Sequence, residues 1–504
     1  MFPIDLNNQR KIYFVGIGGI AMSAAACVAS QAGFEVAGSD SEEVYSPAKD
    51  VIDGAKLTYH IGYDAQNIKN AGADLCVLSA GESLENPEVK YIIENNLPRS
   101  GFPELLYELS KDKLRAVITG THGKTTTAGL LGHLLKNIDD SSFLTGGVLQ
   151  DFRKNFHKGE GHYFVFEGDE YKTQFDDPTP KFHYYKPDIL VLTNLEYDHP
   201  DLFKSFSDLE REFEHLIANL PEDGLLVYNA DDANLARLAH TTEVASASFG
   251  IDNEADYKVE QIKYEKDYTT FEVLNKFSKN VSAHLLGQTE EYKIQLPGKL
   301  NVYNALAVVA TLRALGFSQE EIQLDLLTYK GIKRRFELVG EKNGVTIIDD
   351  YAHHPTAVRE TLNAARLKYF PIQNSEFIVQ NSAKLWAIFE PHTFSRTQAT
   401  LPELAKAFAA ADEILISEIY PAREKITDAT ISSKDVVNGI LSSSSPRQEK
   451  MPEGQMRSKQ TVRLIHNKQE ALSILKKEAK PGDVIIVMAV GDFNRLAYEL
   501  KENL

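Results

Sequence analysis

Apolar residues in this chain gather into short blocks, each closed by small or polar residues. "KIYFVGI" (11–17) predicts a strand buried on both faces. "GGIAMSAAACVASQAG" predicts a small-residue helix stopped by Gly33, and "FEVAGSD" (34–40) the next strand. "ADLCVLSAG" (73–81) and "VKYIIENNLPR" (89–99) continue the alternation, giving a parallel-sheet unit of about 110 residues. "LRAVITG" (114–120) opens a second unit. In it "YFVFEGDE" (163–170) and "PDILVLTNLEYDH" (187–199) are apolar blocks ending in polar residues, as strands do at the ligand edge of an open parallel sheet. Phe206, Leu209, Phe213, Leu216 and Ile217 recur at helical spacing. Residues 255–295 alternate polar and apolar and predict antiparallel strands. "NVYNALAVVATLRALG" predicts a helix ending at Gly316.

A third unit begins near residue 331, with "GVTIIDDYAHHPT", "LWAIFEPHT", "ADEILISEIY" and "GDVIIVMAVGD" as strands. The stretch 442–461 is polar and predicts a mobile surface loop. The expected architecture is α/β in three domains. These are a Rossmann-like unit over 1–112, a central P-loop ATPase-like unit over 113–329, and a second Rossmann-like unit over 330–504.

Composition narrows the partners. A length of 504 residues suits about three domains. The net charge of −18 argues against a nucleic-acid surface, so an anionic substrate needs a local cluster of cations or backbone N–H groups. Only Cys27 and Cys76 are present, no secretory leader is evident at the start, and no run reaches 18 apolar residues. A cytoplasmic protein that neither pairs cysteines nor enters a membrane is expected.

Two glycine motifs carry the chemistry. "GIGGIA" (16–21) fits G-x-G-x-x-[G/A] between a strand and a helix, with Asp40 ending the second strand. Such glycines let backbone N–H groups approach a pyrophosphate, whether of a dinucleotide or of a nucleotide sugar. "GTHGKTTT" (120–127) lacks the glycine of the common phosphate loop five positions before Gly123, where Ile118 stands. Gly120 and Gly123 still free the backbone, Lys124 can reach phosphate oxygens, and Thr125 can hold Mg²⁺. Glu167, Asp169, Glu196, Asp198 and His199 gather at later strand ends, a donor set for one or two Mg²⁺ or Mn²⁺ ions. His353 and His354 are adjacent, which suits substrate contact or helix capping better than one shared metal. Arg334, Arg335, His392 and Arg396 add groups suited to phosphate or carboxylate.

In this order, "GIGGIAMS", "GTHGKTTTAG", "EGDEY", "TNLEYDH", "GKLNVYNALA", "GIKRRFE" and "DDYAHHPT" resemble the Mur ligases, the ATP-dependent amino-acid and peptide ligases of cell-wall synthesis. The resemblance spans essentially the whole chain. It implies a UDP-sugar domain, an ATP domain and a third domain that helps hold the incoming amine. It further implies a cytoplasmic monomer or weak dimer acting on UDP-N-acetylmuramate, ATP and an amine. Within the family, "DDPTPKFHYYKP", "GYDAQNI", "LWAIFEP" and "YSPAKDVI" look like the murein peptide ligases of peptidoglycan recycling, which attach an L-Ala-γ-D-Glu-meso-diaminopimelate tripeptide. "EPHTFSRT" and "EIYPARE" look like the L-alanine ligases. The tripeptide is the expected acceptor, with L-alanine the alternative. A NAD-dependent oxidoreductase, from "GIGGIA" and Asp40, is the reading from another class, and it leaves "GTHGKTTT" unexplained.

Site roles follow from matched motif positions. Gly16, Gly18, Gly19, Ile20, Ser39 and Asp40 are implied around the UDP moiety. Gly120, Thr121, His122, Gly123, Lys124, Thr125 and Thr126 are implied around the ATP phosphates, with Lys124 neutralising the transferred phosphoryl group. Thr125 and Glu167 would hold one metal ion and His199 a second. Asn304 is implied at adenine, Arg335 and Asp350 at ATP phosphate and ribose. His353, His392 and Arg396 are implied at substrate. Several Mur ligases carry a carbamylated lysine fifteen residues after the metal-binding histidine. Glu214 stands at that position here and is expected to supply its carboxylate directly.

Overall fold

The computed structural model describes residues 6, 9–198, 202–265, 267–276, 287–370, 383–422, 424–425, 430–443 and 460–504. His199 and most of the polar stretch 442–461 therefore lie outside the described residues.

Three sheets follow one another along the chain, as the blocks of apolar residues predict. The first has five parallel strands in the order Thr58–Ile61, Glu35–Asp40, Lys11–Val15, Leu75–Leu78, Arg99–Ser100. Its helix Ile20–Gln31 starts at Gly19 and is almost wholly buried, which its run of alanines permits. The segment 89–99 resolves into a helix, Pro87–Glu94, and a two-residue strand. Asn86 accepts from the Glu88 and Val89 N–H groups, and Pro87 occupies the first turn, so capping prevails over the local apolar run.

The second sheet has ten strands. Strand Leu114–Thr119 lies at its heart between Ile189–Leu192 and Tyr163–Glu167, parallel to both. Ile118 is opposite Glu167 on one side and Val191 on the other, so the segments after all three strands emerge on one edge. The predicted antiparallel strands are Tyr257–Tyr264, Thr269–Asn275 and Thr289–Ile294. The third sheet has six strands, with an antiparallel edge Glu337–Lys342 beside five parallel ones.

The seams between domains differ in kind. Ile12, Phe14 and Leu75 of the first sheet share one apolar cluster with Val117, Phe164 and Leu190 of the second. A hairpin of Lys172–Gln174 and Asp177–Pro180 reinforces that seam. Arg99 grips Asp176 with two hydrogen bonds of 2.8 and 3.2 Å, and Gln174 donates to Glu104. The third sheet keeps its own clusters on its two faces and meets the second through polar side chains, described below.

Candidate active site

The edge where strands Leu114–Thr119, Tyr163–Glu167 and Ile189–Leu192 end carries the chemistry-bearing residues. Ile118 is fully buried inside its strand, and the loop turns only at Gly120. Gly120 has φ +132°, and a Cβ there would lie 2.3 Å from Thr193 Oγ1 and 2.7 Å from the Asn194 carbonyl. Gly123 has φ +83°, and its Cβ would lie 2.3 Å from Asn304 Oδ1. Both glycines are required by conformation and by space. The helix Lys124–Asp139 follows and turns its N-terminal N–H groups toward the loop.

Lys124 Nζ folds over the loop, donating to the Gly120 carbonyl at 2.5 Å and the Thr121 carbonyl at 3.3 Å, and pairing with Glu170 Oε1 at 3.0 Å. Glu170 is a site residue that motif matching passed over. Its signal was the unused fourth letter of E-G-D-E, buried beside a cation. Asp169 turns instead to Lys181, 3.1 Å away. Thr125 Oγ1 donates to Glu167 Oε1 at 2.7 Å, and the Gly146 N–H donates to Glu167 Oε2 at 2.6 Å. Burial pushes the Glu167 carboxyl upward in pKa against the pull of those donors, Lys124 and Arg335. A buried carboxylate and a hydroxyl at a phosphate loop are the hard oxygen donors that Mg²⁺ takes.

Thr121 and His122 are fixed from the strand ending at Leu192. Thr121 Oγ1 donates to the Glu196 carbonyl and accepts from the Glu196 N–H. His122 N–H donates to Asn194 Oδ1, while Thr193 and Asn194 donate to its carbonyl. Thr126 is buried, and its carbonyl accepts from the Tyr329 hydroxyl.

The third domain closes over this edge. Arg396 is buried, and its Nε donates to Asp198 Oδ1 at 3.0 Å, with a second guanidinium nitrogen 2.9 Å from the same carboxylate. Its remaining arm donates to His392 Nδ1 at 2.8 Å. The His392 ring lies 5.4 Å from His353 and stacks on Tyr420 at 5.9 Å. Burial, with help from the Arg396 charge, holds His353 well below the usual imidazole pKa, so the ring is neutral. Thr356 donates to Glu196 Oε2 at 3.0 Å. His354 caps the helix Pro355–Tyr369, the capping role open to one of the two histidines.

Several of the implied ligand groups also hold the scaffold. Ser39 is buried and donates to Glu88, on the interior side of the first sheet. Asp40 folds back to accept from Gly18 N–H at 2.7 Å and Ser41 N–H at 2.8 Å. Gly16 is left-handed, Gly19 starts the helix, and the Ile20 carbonyl accepts from Asn155 of the second domain. Both ends of the Asn304 amide are engaged, Oδ1 by the Thr127 hydroxyl and Nδ2 by Asn301, so it braces the turn at Gly123. Asp350 accepts from the N–H groups of Phe336 and Ala352 at 2.7 and 2.6 Å, which ties the linker into the third domain to the strand Val345–Asp350. Arg335 lies over the Tyr351 ring at 4.9 Å. Glu214 is half-buried on the helix Phe206–Ala218. Its neighbour Glu212 is the one that pairs with His183, at 2.7 Å.

Models of three families match in the same order as the sheets. They are the Mur ligase family catalytic domain over 11–114, the Mur ligase middle domain over 118–312, and the Mur ligase glutamate ligase domain over 334–491. The UDP-N-acetylmuramate–L-alanine ligase of Clostridium acetobutylicum is 34% identical over 497 residues, covering 97% of both chains. The chain belongs to the Mur ligase family.

This Mur ligase is also 32% identical over 501 residues to the L-alanine ligase of Alkaliphilus metalliredigens, covering 99% of this chain and 98% of that one. Its fold matches that of the UDP-N-acetylmuramate–alanine ligase of Thermotoga maritima, with TM-score 0.75, 24% identity and 98% of each chain covered. The murein peptide ligase of Psychrobacter arcticus gives TM-score 0.68 at 27% identity, covering 97% of this chain and 98% of that one. The protein is therefore an ADP-forming acid–amino-acid ligase of an ATP-dependent family, and the oxidoreductase reading falls.

The expected peptide-ligase assignment is overturned as well, because the curated relatives at 32–34% identity over the whole length are named L-alanine ligases. The first part of the long link that suggested the tripeptide, through Pro180, completes the hairpin and sets Asp176 on Arg99, and the rest carries the helix Lys181–Tyr184. Its extra length is spent joining the first two domains. Among the described residues, no helix is long and apolar enough to cross a membrane.

Proposed function

We propose that this Mur ligase joins L-alanine to UDP-N-acetylmuramate with consumption of ATP. The observation that carries the proposal is the near-complete coverage of both chains in each alignment with relatives named for that reaction. The nucleotide substrates fit a cytoplasmic setting.

In this reading the domains divide the work as 1–112, 113–329 and 330–504. Gly16, Gly18 and Gly19 let the UDP pyrophosphate approach the start of the helix Ile20–Gln31. Residues 120–126 cradle the ATP phosphates. Lys124 leaves Glu170 when phosphate arrives and neutralises the phosphoryl group as it moves to the lactyl carboxylate. The acyl phosphate is then attacked by the α-amine, and the tetrahedral adduct collapses to amide and phosphate. Carboxylate is a poor acyl donor until phosphate becomes its leaving group, so positioning and charge neutralisation are the protein's main contributions. Thr125 and Glu167, with His199, are the residues that would hold Mg²⁺, which when bound offsets charge between phosphate and carboxylate. Neutral His353, His392 and Arg396 line the side of the third domain that faces this edge and suit the acceptor's carboxylate and amine.

The test supplies UDP-N-acetylmuramate, ATP and Mg²⁺ with L-alanine, glycine, L-serine or the tripeptide, and reads ADP release and product mass. ADP formation dependent on L-alanine, with the alanyl product, is expected. Turnover with the tripeptide alone refutes the proposal.

A further inference from the structure

His122, Glu196 and His354 form the one cluster of three metal-binding side chains among the described residues whose ligand atoms all lie within 4.8 Å of one another. They come from three places: the phosphate loop, the segment after strand Ile189–Leu192, and the cap of the third domain's helix. We propose that they form an interdomain site for a borderline divalent cation of the Zn²⁺ or Co²⁺ class, separate from the Mg²⁺ donors Thr125 and Glu167.

The argument begins with spacing. A four-coordinate Zn²⁺ sits about 2.0–2.2 Å from nitrogen and oxygen ligands, which puts ligand atoms roughly 3.3 Å apart. His122 Nε2 lies 3.2 Å from Glu196 Oε2, and His354 Nδ1 lies 3.9 Å from that same oxygen. The rings of the two histidines are 4.6 Å apart between centroids and tilted, so they converge without stacking. A small side-chain contraction brings all three donors onto one ion.

Preorganisation is the second observation. Thr121 holds the Glu196 backbone by two reciprocal hydrogen bonds, and Thr193 and Asn194 clamp His122. These supports fix the backbone from which two of the ligands project before any ion arrives. His354 is buried, and the one hydrogen bond at its Nδ1, from the Thr356 N–H, is long at 3.4 Å, so that lone pair is weakly held.

Donor chemistry selects the ion. Two imidazoles and one carboxylate suit Zn²⁺ or Co²⁺, whereas Mg²⁺ demands near-octahedral oxygen. The fourth position is left for water. Because His354 belongs to the third domain, the full ligand set exists only when that domain is docked. A bound ion would therefore clip the docked arrangement together.

The test titrates the full-length enzyme with Co²⁺ in excess Mg²⁺, which occupies the oxygen sites, and follows the visible d–d bands. One Co²⁺ per chain with the intense spectrum of four-coordination is expected. It should be lost in Glu196→Gln and His354→Gln and retained in Glu167→Gln. Circular dichroism of each variant checks that it is folded. A weak six-coordinate spectrum, or one unchanged in both Glu196→Gln and His354→Gln, overturns the site.

Discussion

Arg396 and Asp198, 198 positions apart in sequence, form a buried two-nitrogen ion pair between the third domain and the residue next to His199. Such a pair costs desolvation of both charges, so its removal from one side is more damaging than its net worth suggests. Arg396→Ala takes the guanidinium from a carboxylate that stays buried. The expected loss is about 3–5 kcal/mol of docking, felt as a fall of roughly 10²-fold or more in kcat/KM. Steady-state kinetics check it, and Asp198→Asn plus Arg396→Ala should be less than additive.

Lys124 pairs with Glu170 at 3.0 Å beside the loop. Replacing Lys124 by Met should lower kcat by about 10²–10³-fold, the usual cost of one lost oxyanion donor. The KM for the UDP substrate should stay near wild type, since we propose that it is seated in the first domain. Equal losses in KM and kcat would contradict this division.

Gly120 cannot accept a side chain without displacing Thr193 and the Asn194 backbone. Gly120→Ala should cost about 2–4 kcal/mol from positive φ and overpacking together. Thermal unfolding measures this, and ATP binding should fall with it.

Stability should depend on Glu390, which follows strand Leu385–Phe389. It is buried, and accepts from the Gly491 N–H at 3.1 Å. Burial pushes its carboxyl up to about 7, against about 4.3 in an unfolded chain. Between those values the folded form binds more protons than the unfolded one, so stability falls as pH rises through the window. Asp349, pushed up to about 7 also by burial, acts with the same sign. Glu390→Gln should be more stable than wild type at pH 8 by roughly 2–3 kcal/mol, with little difference at pH 4. Denaturant titrations at the two pH values decide it.

Glu214 lies fifteen residues after His199, and we expect it to support the metal site without modification. Glu214→Gln should raise the Mg²⁺ concentration needed for half-maximal activity. Unchanged Mg²⁺ dependence would remove Glu214 from the site.

The apolar blocks identified the sheets because buried parallel strands need unbroken apolar runs, and the glycine loops were legible because Gly16, Gly120 and Gly123 take left-handed backbone with no room for a Cβ. Individual contacts were less legible. Ser39, Asn304 and Asp350 stand in the motifs, and each also braces a neighbouring strand, turn or linker, which no motif announces. Residue type does not say which of two possible partners a hydroxyl or amide meets. No local pattern links Arg396 to Asp198, so their pairing is not legible in the sequence. The hairpin misled for a related reason: a longer segment announces its length in the sequence but not the surface it covers.

The apolar cluster shared by the first two sheets has a mechanical consequence. With Arg99 and Asp176 fastening the hairpin across it, the glycine loop at 16–21 and the loop at 120–127 form a single jaw. The third domain, joined through Arg396 and Thr356, is the opposing jaw. Among the described residues no apolar cluster spans the second and third sheets, so drawing the opposing jaw away exposes little core and leaves the two loops of the first jaw at a fixed separation.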